Sequence, residues 1–152
     1  LNFNIYKNLP GNGNPVFRYN IMSDMQYSNS ELPIFRKNYI GGQGYIRGYS
    51  SIPSNNSIDN SRGMIEADNF FINRFELQST VINRKEYMEK IEMGLDVVFF
   101  TDCGVGYNLN ESIDLKSALF GYGVGIRIFL MGAVIKLDYG SNVHGQSRLH
   151  LF

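Results

Sequence analysis

Residues 91–107 carry the feature that most restricts the fold. Ile91, Met93, Leu95, Val97, Phe99, Cys103, Val105 and Tyr107 occupy every second position, and Glu92, Gly94, Asp96, Asp102, Gly104 and Gly106 fall between them. Only extended backbone sends alternate side chains to opposite faces, so this stretch is a β-strand. Its apolar face is about as long as a tilted strand must be to cross a bilayer. The same ladder recurs along the chain. Leu1, Phe3 and Ile5 alternate with Asn2 and Asn4. In residues 17–27, Phe17, Tyr19, Ile21, Met25 and Tyr27 oppose Arg18, Asn20, Asp24 and Gln26. In residues 71–81, Phe71, Phe75 and Leu77 oppose Arg74, Glu76 and Gln78. Residues 117–130 set Ala118, Phe120, Tyr122, Val124, Ile126, Ile128 and Leu130 against Gly121, Gly123, Gly125 and Arg127. Met131–Gly132 reads as a tight turn. Beyond it Ala133, Ile135, Leu137 and Tyr139 oppose Lys136 and Asp138, and Leu149 and Leu151 oppose Arg148 and His150. About seven two-faced strands result.

Composition narrows the setting. Every apolar stretch is broken by a charge, such as Asp96, Asp102, Arg127 or Lys136, well short of the roughly 18 residues of a membrane helix. A spanning helix is excluded and a spanning barrel is not. With 10 Tyr, 11 Phe and 16 Gly, the chain suits strands that show lipid only every second residue. A soluble β-sandwich also alternates, but the long apolar faces and the Gly, Asp, Glu and Arg opposite them favour a bilayer outside and a watery, loop-filled lumen inside. The 14 basic and 14 acidic residues balance, which leaves no basic footprint for nucleic acid. Cys103 has no second cysteine to pair with, and on the apolar face it is no candidate for a reactive thiol. The start at Leu1, without Met or signal peptide, reads as that of a mature segment or an excised fragment.

Residues 28–68 stand apart. They show no strand period and are rich in Gly, Ser and Asn, and a loop that long inside a compact domain is expected to be functional or disordered. Residues 85–90 (KEYMEK) have helical propensity, yet over one turn's length they read as a hairpin connection. At the centre of the long loop stands Gly41-Gly42-Gln43-Gly44-Tyr45-Ile46-Arg47-Gly48-Tyr49. It resembles the (V/I)RG(F/Y) loop motif of the BamA-type superfamily of outer-membrane barrels, which includes bacterial assembly factors, two-partner secretion transporters and organellar import pores. Other stretches extend the likeness across most of the chain. Phe75-Glu76-Leu77 resembles the family's acidic strand position, and residues 99–104 (FFTDCG) resemble its F-x-D-x-G signature. Residues 121–127 (GYGVGIR), Met131-Gly132 and residues 136–139 (KLDY) resemble its penultimate hairpin.

The resemblance implies an all-β, antiparallel transmembrane barrel of about sixteen strands, of which residues 1–152 would be the C-terminal part. It also implies a final aromatic on the lipid-facing register. Here Leu149 and Leu151 take that register and Phe152 falls on the other, so the last strand is expected to continue further. The implied site is the inward-folded loop, with Gly41, Gly42, Ile46, Arg47, Gly48 and Tyr49. It would meet Glu76, Asp102 and Gly104 on the barrel wall, with Arg47 pairing with Asp102 and Glu76 nearby. Parity independently puts Glu76 and Asp102 on polar faces, and the planar arginine fork suits a carboxylate.

The implied function is assembly or insertion of outer-membrane proteins in a Gram-negative-type envelope, moving client polypeptides through seam and lumen. Alternatives are a two-partner-secretion pore or a small structural or adhesive barrel. Partners would be membrane lipid, client polypeptides and accessory assembly proteins. No enzyme activity, catalytic residue, cofactor or metal site is expected. His144 and His150 are isolated, Asp59, Glu111 and Asp114 sit in polar connections, and Gly121, Gly123 and Gly125 recur along one strand face, unlike a phosphate-binding loop.

Overall fold

The computed structural model of the chain describes residues 1–51, 66–87, 91–109 and 111–151. Asp59 and Phe152, and with them the expectation for the terminal aromatic, lie outside the described residues. The strands, in chain order, are β1 (Asn2–Asn8), β2 (Val16–Asp24), β3 (Asn38–Tyr39), β4 (Glu66–Ala67), β5 (Asn69–Tyr87), β6 (Ile91–Tyr107), β7 (Leu119–Leu130), β8 (Ala133–Asn142) and β9 (Ser147–Leu151). Among the described residues, β1, β2, β5, β6, β7, β8 and β9 form one antiparallel sheet in that order, with β1 and β9 at its two edges. The short β3 and β4 pair separately. The fold is all-β, and among the described residues helix is confined to the 3-10 turns Ile34–Arg36 and Leu115–Ser117.

Element bounds shift in ways the local chemistry explains. β2 stops at Asp24 rather than at residue 27. Beyond it the Gln26 amide N–H turns to Asn69 Oδ1 (2.5 Å) and its side chain to the Asp68 carbonyl (3.1 Å), which leaves Met25 and Tyr27 exposed. Residues 85–87 of the expected connection instead extend β5, because Lys85, Glu86 and Tyr87 pair with Met93, Glu92 and Ile91. Residues 88–90 lie outside the described residues. Two register shifts, between Thr80 and Ile82 and between Ile82 and Lys85, add residues to β5 relative to β6. Such bulges bend a strand and re-aim the side chains that follow.

The two faces of the sheet are buried in the reverse of the usual sense. Phe99 is 57 % exposed and Tyr122 54 %, with Phe71, Phe75, Leu77, Phe120, Val124, Tyr139, Leu149 and Leu151 exposed on the same side. Tyr19 stacks on Phe75 with ring centroids 4.7 Å apart on this outer surface. The opposite face buries Asn20, Glu76, Asp96, Asp102, Arg127, Asp138 and Asn142. Water would not favour such a division, whereas hydrocarbon outside and a polar interior would. The polar face also carries an apolar island that alternation does not mark. Phe70, Ile72 and Leu119 pack there under Ile40, Ile46 and Tyr49 of the long loop, with Met22 and Tyr45 at the margin. Each such side chain gains about 2 kcal/mol by burial, enough to hold a loop against a wall.

This division of faces is open to a direct reading. Spin labels placed one at a time at positions 99, 124 and 139, in a Cys103→Ser background in lipid vesicles, are expected to be accessible to oxygen and shielded from a water-soluble relaxant. A label at position 78 is expected to show the opposite. Reversed accessibilities would refute the assignment of faces.

Candidate functional site

The polar face is organised in rows that cross the strands. One row runs Arg74 (β5), Asp102 (β6), Gly121 (β7) and Asn142 (β8). The next runs Arg18 (β2), Glu76 (β5), Phe100 (β6), Gly123 (β7), Gly140 (β8) and Arg148 (β9). The third brings Gln78, Val98, Gly125, Asp138 and His150 together. Carboxylates and arginines flank a band of glycines, so the wall has a shallow floor with charged sides.

The loop lies on that floor. Its turn forms because Gly42 and Gly48 sit at φ +88° and +92°, where other residues are strained. The Gly42 amide donates to the Ile46 carbonyl at 3.0 Å, the Tyr45 amide donates to the Gly42 carbonyl at 3.1 Å, and Gly41 bridges Ile46. The turn presents Ile46 to the apolar island and Arg47 to the charges. Gly104 leaves room for Ile46, since a Cβ there would stand 2.9 Å from its Cδ1. Tyr49 is buried, and its hydroxyl accepts from the Phe120 amide at 3.3 Å.

Arg47 is fully buried, as is Asp102. Nε and Nη2 of Arg47 donate to the two oxygens of Asp102, each at 2.7 Å, and the Arg47 amide donates to Asp102 Oδ2 at 3.0 Å. Nη1 donates to Glu76 Oε1 at 2.6 Å and to Asp138 Oδ2 at 3.1 Å. The guanidinium carbon sits 3.5 Å from the centre of the Phe100 ring. One side chain therefore joins β5, β6 and β8 through charge-assisted bonds, with an aromatic face as its floor. Burial by itself would make the cation less basic. The Asp102 hydrogen bonds and the three surrounding carboxylates outweigh burial and raise the Arg47 pKa above the ordinary arginine value.

Further cations balance the acids. Arg74 reaches Asp102 at 3.4 Å, Arg18 reaches Glu76 at 3.2 Å, and Arg127 of β7 forms a bidentate pair with Asp138. Parity could place Asp138 on the polar face, but it could not show that the loop arginine reaches β8. Phe100 stood in the stretch that resembles the F-x-D-x-G signature, but an aromatic on a polar face breaks the alternation, and nothing in the pattern put it under the loop arginine. The glycines divide their work. A Cβ at Gly140 would come 2.8 Å from the Gly48 amide, and one at Gly121 would overlap the Arg47 carbonyl, so these two admit the loop backbone. Gly123 makes space for Phe100, and Gly125 for the Arg127–Asp138 pair.

Gly48 is clasped from the C-terminal side. Its carbonyl accepts from Asn142 Nδ2 at 3.0 Å, and its amide donates to His150 Nε2 at 3.4 Å. His144 packs its ring edge-on against Tyr49. Among the described residues no group of His, Cys, Asp and Glu is arranged to hold a metal ion.

No characterised protein and no solved structure matches the chain. The family model described as the Omp85 superfamily domain matches residues 1–148, nearly the whole chain. That superfamily is characteristic of the Gram-negative outer membrane and serves the insertion and secretion of outer-membrane and exported polypeptides. A strand-crossed sheet with an outward apolar face and an inward polar one is what such a location demands. The chain belongs to the Omp85 superfamily and is an outer-membrane protein.

Proposed function

We propose that this chain forms part of the barrel of an outer-membrane protein assembly factor, which inserts or translocates client polypeptides without catalysing a covalent reaction. Arg47 is its central latch. The observation that carries this reading is a fully buried loop arginine bonded to carboxylates of β5, β6 and β8. A latch of that kind fixes the curvature of the wall and, through Gly48, Asn142 and His150, the position of the last two strands. Among the described residues β9 lies at an edge of the sheet, and a client strand can join such an edge by β-augmentation. Glu76, Asp102 and Gly104 serve on the wall, and Gly41, Gly42, Ile46, Gly48 and Tyr49 shape the loop. Membrane lipid covers the outer face.

Removing one member of a buried ion cluster strands the others, at about 3–5 kcal/mol where water is excluded. In the full-length protein, Arg47→Ala and Asp102→Ala are each expected to impair client assembly, and the double variant to be little worse than Arg47→Ala, because both changes forfeit the shared Arg47–Asp102 contact. Arg47→Lys is expected to rescue poorly, since it keeps the charge and loses the fork. Complementation normalised to barrel abundance checks this, and additive defects or a fully active Arg47→Ala would refute it.

The close fit of the loop to the wall has its own test. Gly121→Val is expected to lift the loop and make it more sensitive to trypsin in detergent. Gly44→Ala, where a Cβ meets nothing within 4 Å, is expected to leave cleavage unchanged. Equal cleavage rates for the two variants would argue against a docked loop.

A further inference from the structure

The bulges in β5 have a consequence beyond the latch. In the paired region before them, even-numbered residues of β5 face the polar side. The two register shifts carry Arg84 to a place opposite Gly94, between the Ile82–Leu95 and Lys85–Met93 pairs. Gly94 has no side chain to block the way, and a Cβ there would stand 2.8 Å from Arg84 Cγ. Arg84 thus crosses β6 and lays its guanidinium over Phe129 of β7, 3.7 Å from the ring centre. Bulge, glycine and aromatic together build a seat for this cation.

A second cation stands beside it. Lys136 of β8 is directly opposite Arg127 of β7, and Val134 of β8 is opposite Phe129. Like charges directly across a strand pair destabilise a sheet. Asp138 offsets Arg127, which it binds bidentately. Among the described residues, Arg84 and Lys136 make no ion pair with a carboxylate. Both line one open cavity of about 500 Å³ on the polar face, beneath the loop, with Phe129, Val134, Arg127 and Gln78 among its walls. Glu86 and Glu92 face each other one row nearer the turn, so the cationic zone is bounded on that side. Asp96 of β6 lies in the row of Arg127 and Lys136, directly opposite Arg127, and its carboxylate accepts from Gln78 at 2.6 Å.

We propose that Arg84 and Lys136 form a binding site for the carboxylates of an acidic polypeptide segment at the mouth of the lumen. Short turns of outer-membrane barrels face the periplasm, and the two-residue turn of Met131 and Gly132, next to this cavity, is the shortest connection between neighbouring strands of the sheet. The site therefore meets chains that arrive from the periplasmic side. Phe129 and Val134 provide apolar contact for the peptide stem, and the two free cations provide its charge recognition. A lipid headgroup fits less well, because the cavity is on the face away from the lipid. This inference rests on the protein-handling reading above, which supplies the polypeptide.

The test is binding of a fluorescent peptide rich in Asp and Glu to the purified full-length protein in detergent. Its Asn/Gln counterpart and inorganic phosphate serve as comparison probes. The acidic peptide is expected to bind at least tenfold more tightly than the neutral one, more weakly as salt rises, and at least tenfold more weakly to an Arg84→Gln/Lys136→Gln variant. That variant is expected to unfold at the same temperature as the wild type or a higher one, since removing like charges relieves the sheet. Equal binding of both peptides, unchanged binding by the variant, or displacement by phosphate at concentrations equal to the peptide's would each overturn the proposal. A variant that binds normally but unfolds earlier would make the two cations structural and also overturn it. Because binding is read without client assembly, failure here leaves the assembly reading to its own complementation assay.

Discussion

A guanidinium with no exposed surface is tolerated in a protein only when its donors are matched, since an uncompensated buried charge outweighs most single stabilising contacts. Arg47 meets that condition by drawing on acids from three strands and on the face of Phe100. The rest of the polar face is arranged around it. Glycines at 121 and 140 give the loop backbone its clearance, and Arg18, Arg74 and Arg127 keep the surrounding carboxylates from repelling one another. The apolar island of Ile40, Ile46, Tyr49, Phe70, Ile72 and Leu119 then seals the cluster from one side. Charge and hydrophobic burial cooperate here, because excluding water strengthens each ion pair that excludes it.

The same cluster ties local geometry to the ends of the sheet. The residue after Arg47 has both of its backbone groups engaged by β8 and β9, through Asn142 and His150. A shift of the loop must therefore either break those bonds or carry the last strands with it. That gives a physical route from a buried arginine to a sheet edge, through bonded neighbours rather than through distance. On the proposed reading, the loop need not touch a client to influence where the edge of the sheet lies.

Much of the fold was legible from parity. A strand with an apolar face as long as that of residues 91–107 has few homes, and the Gly, Asp and Arg of its other face require a polar interior. The inward assignment of Glu76 and Asp102 followed from period 2 alone. The misjudged bounds arose where tertiary bonds override local pattern. Gln26 abandons the ladder for Asn69 and Asp68, and residues 85–87 remain in the ladder because β6 is long enough to pair with them. Propensity in a short window cannot register a partner distant in sequence.

By itself, then, the sequence determined the period, the two faces, the glycine floor and the loop that had to be accommodated, because these depend on side-chain type and spacing along one chain. Tertiary structure alone decided which acids surround Arg47, and so added Asp138 to Asp102 and Glu76. It decided that Phe100 would lie under the cation, that His150 and Asn142 would hold Gly48, and that two bulges would bring Arg84 across Gly94 onto Phe129. Each of these depends on register between strands and on how closely a loop approaches the wall. Register is set by the sum of pairings across the sheet, and no single segment carries that sum.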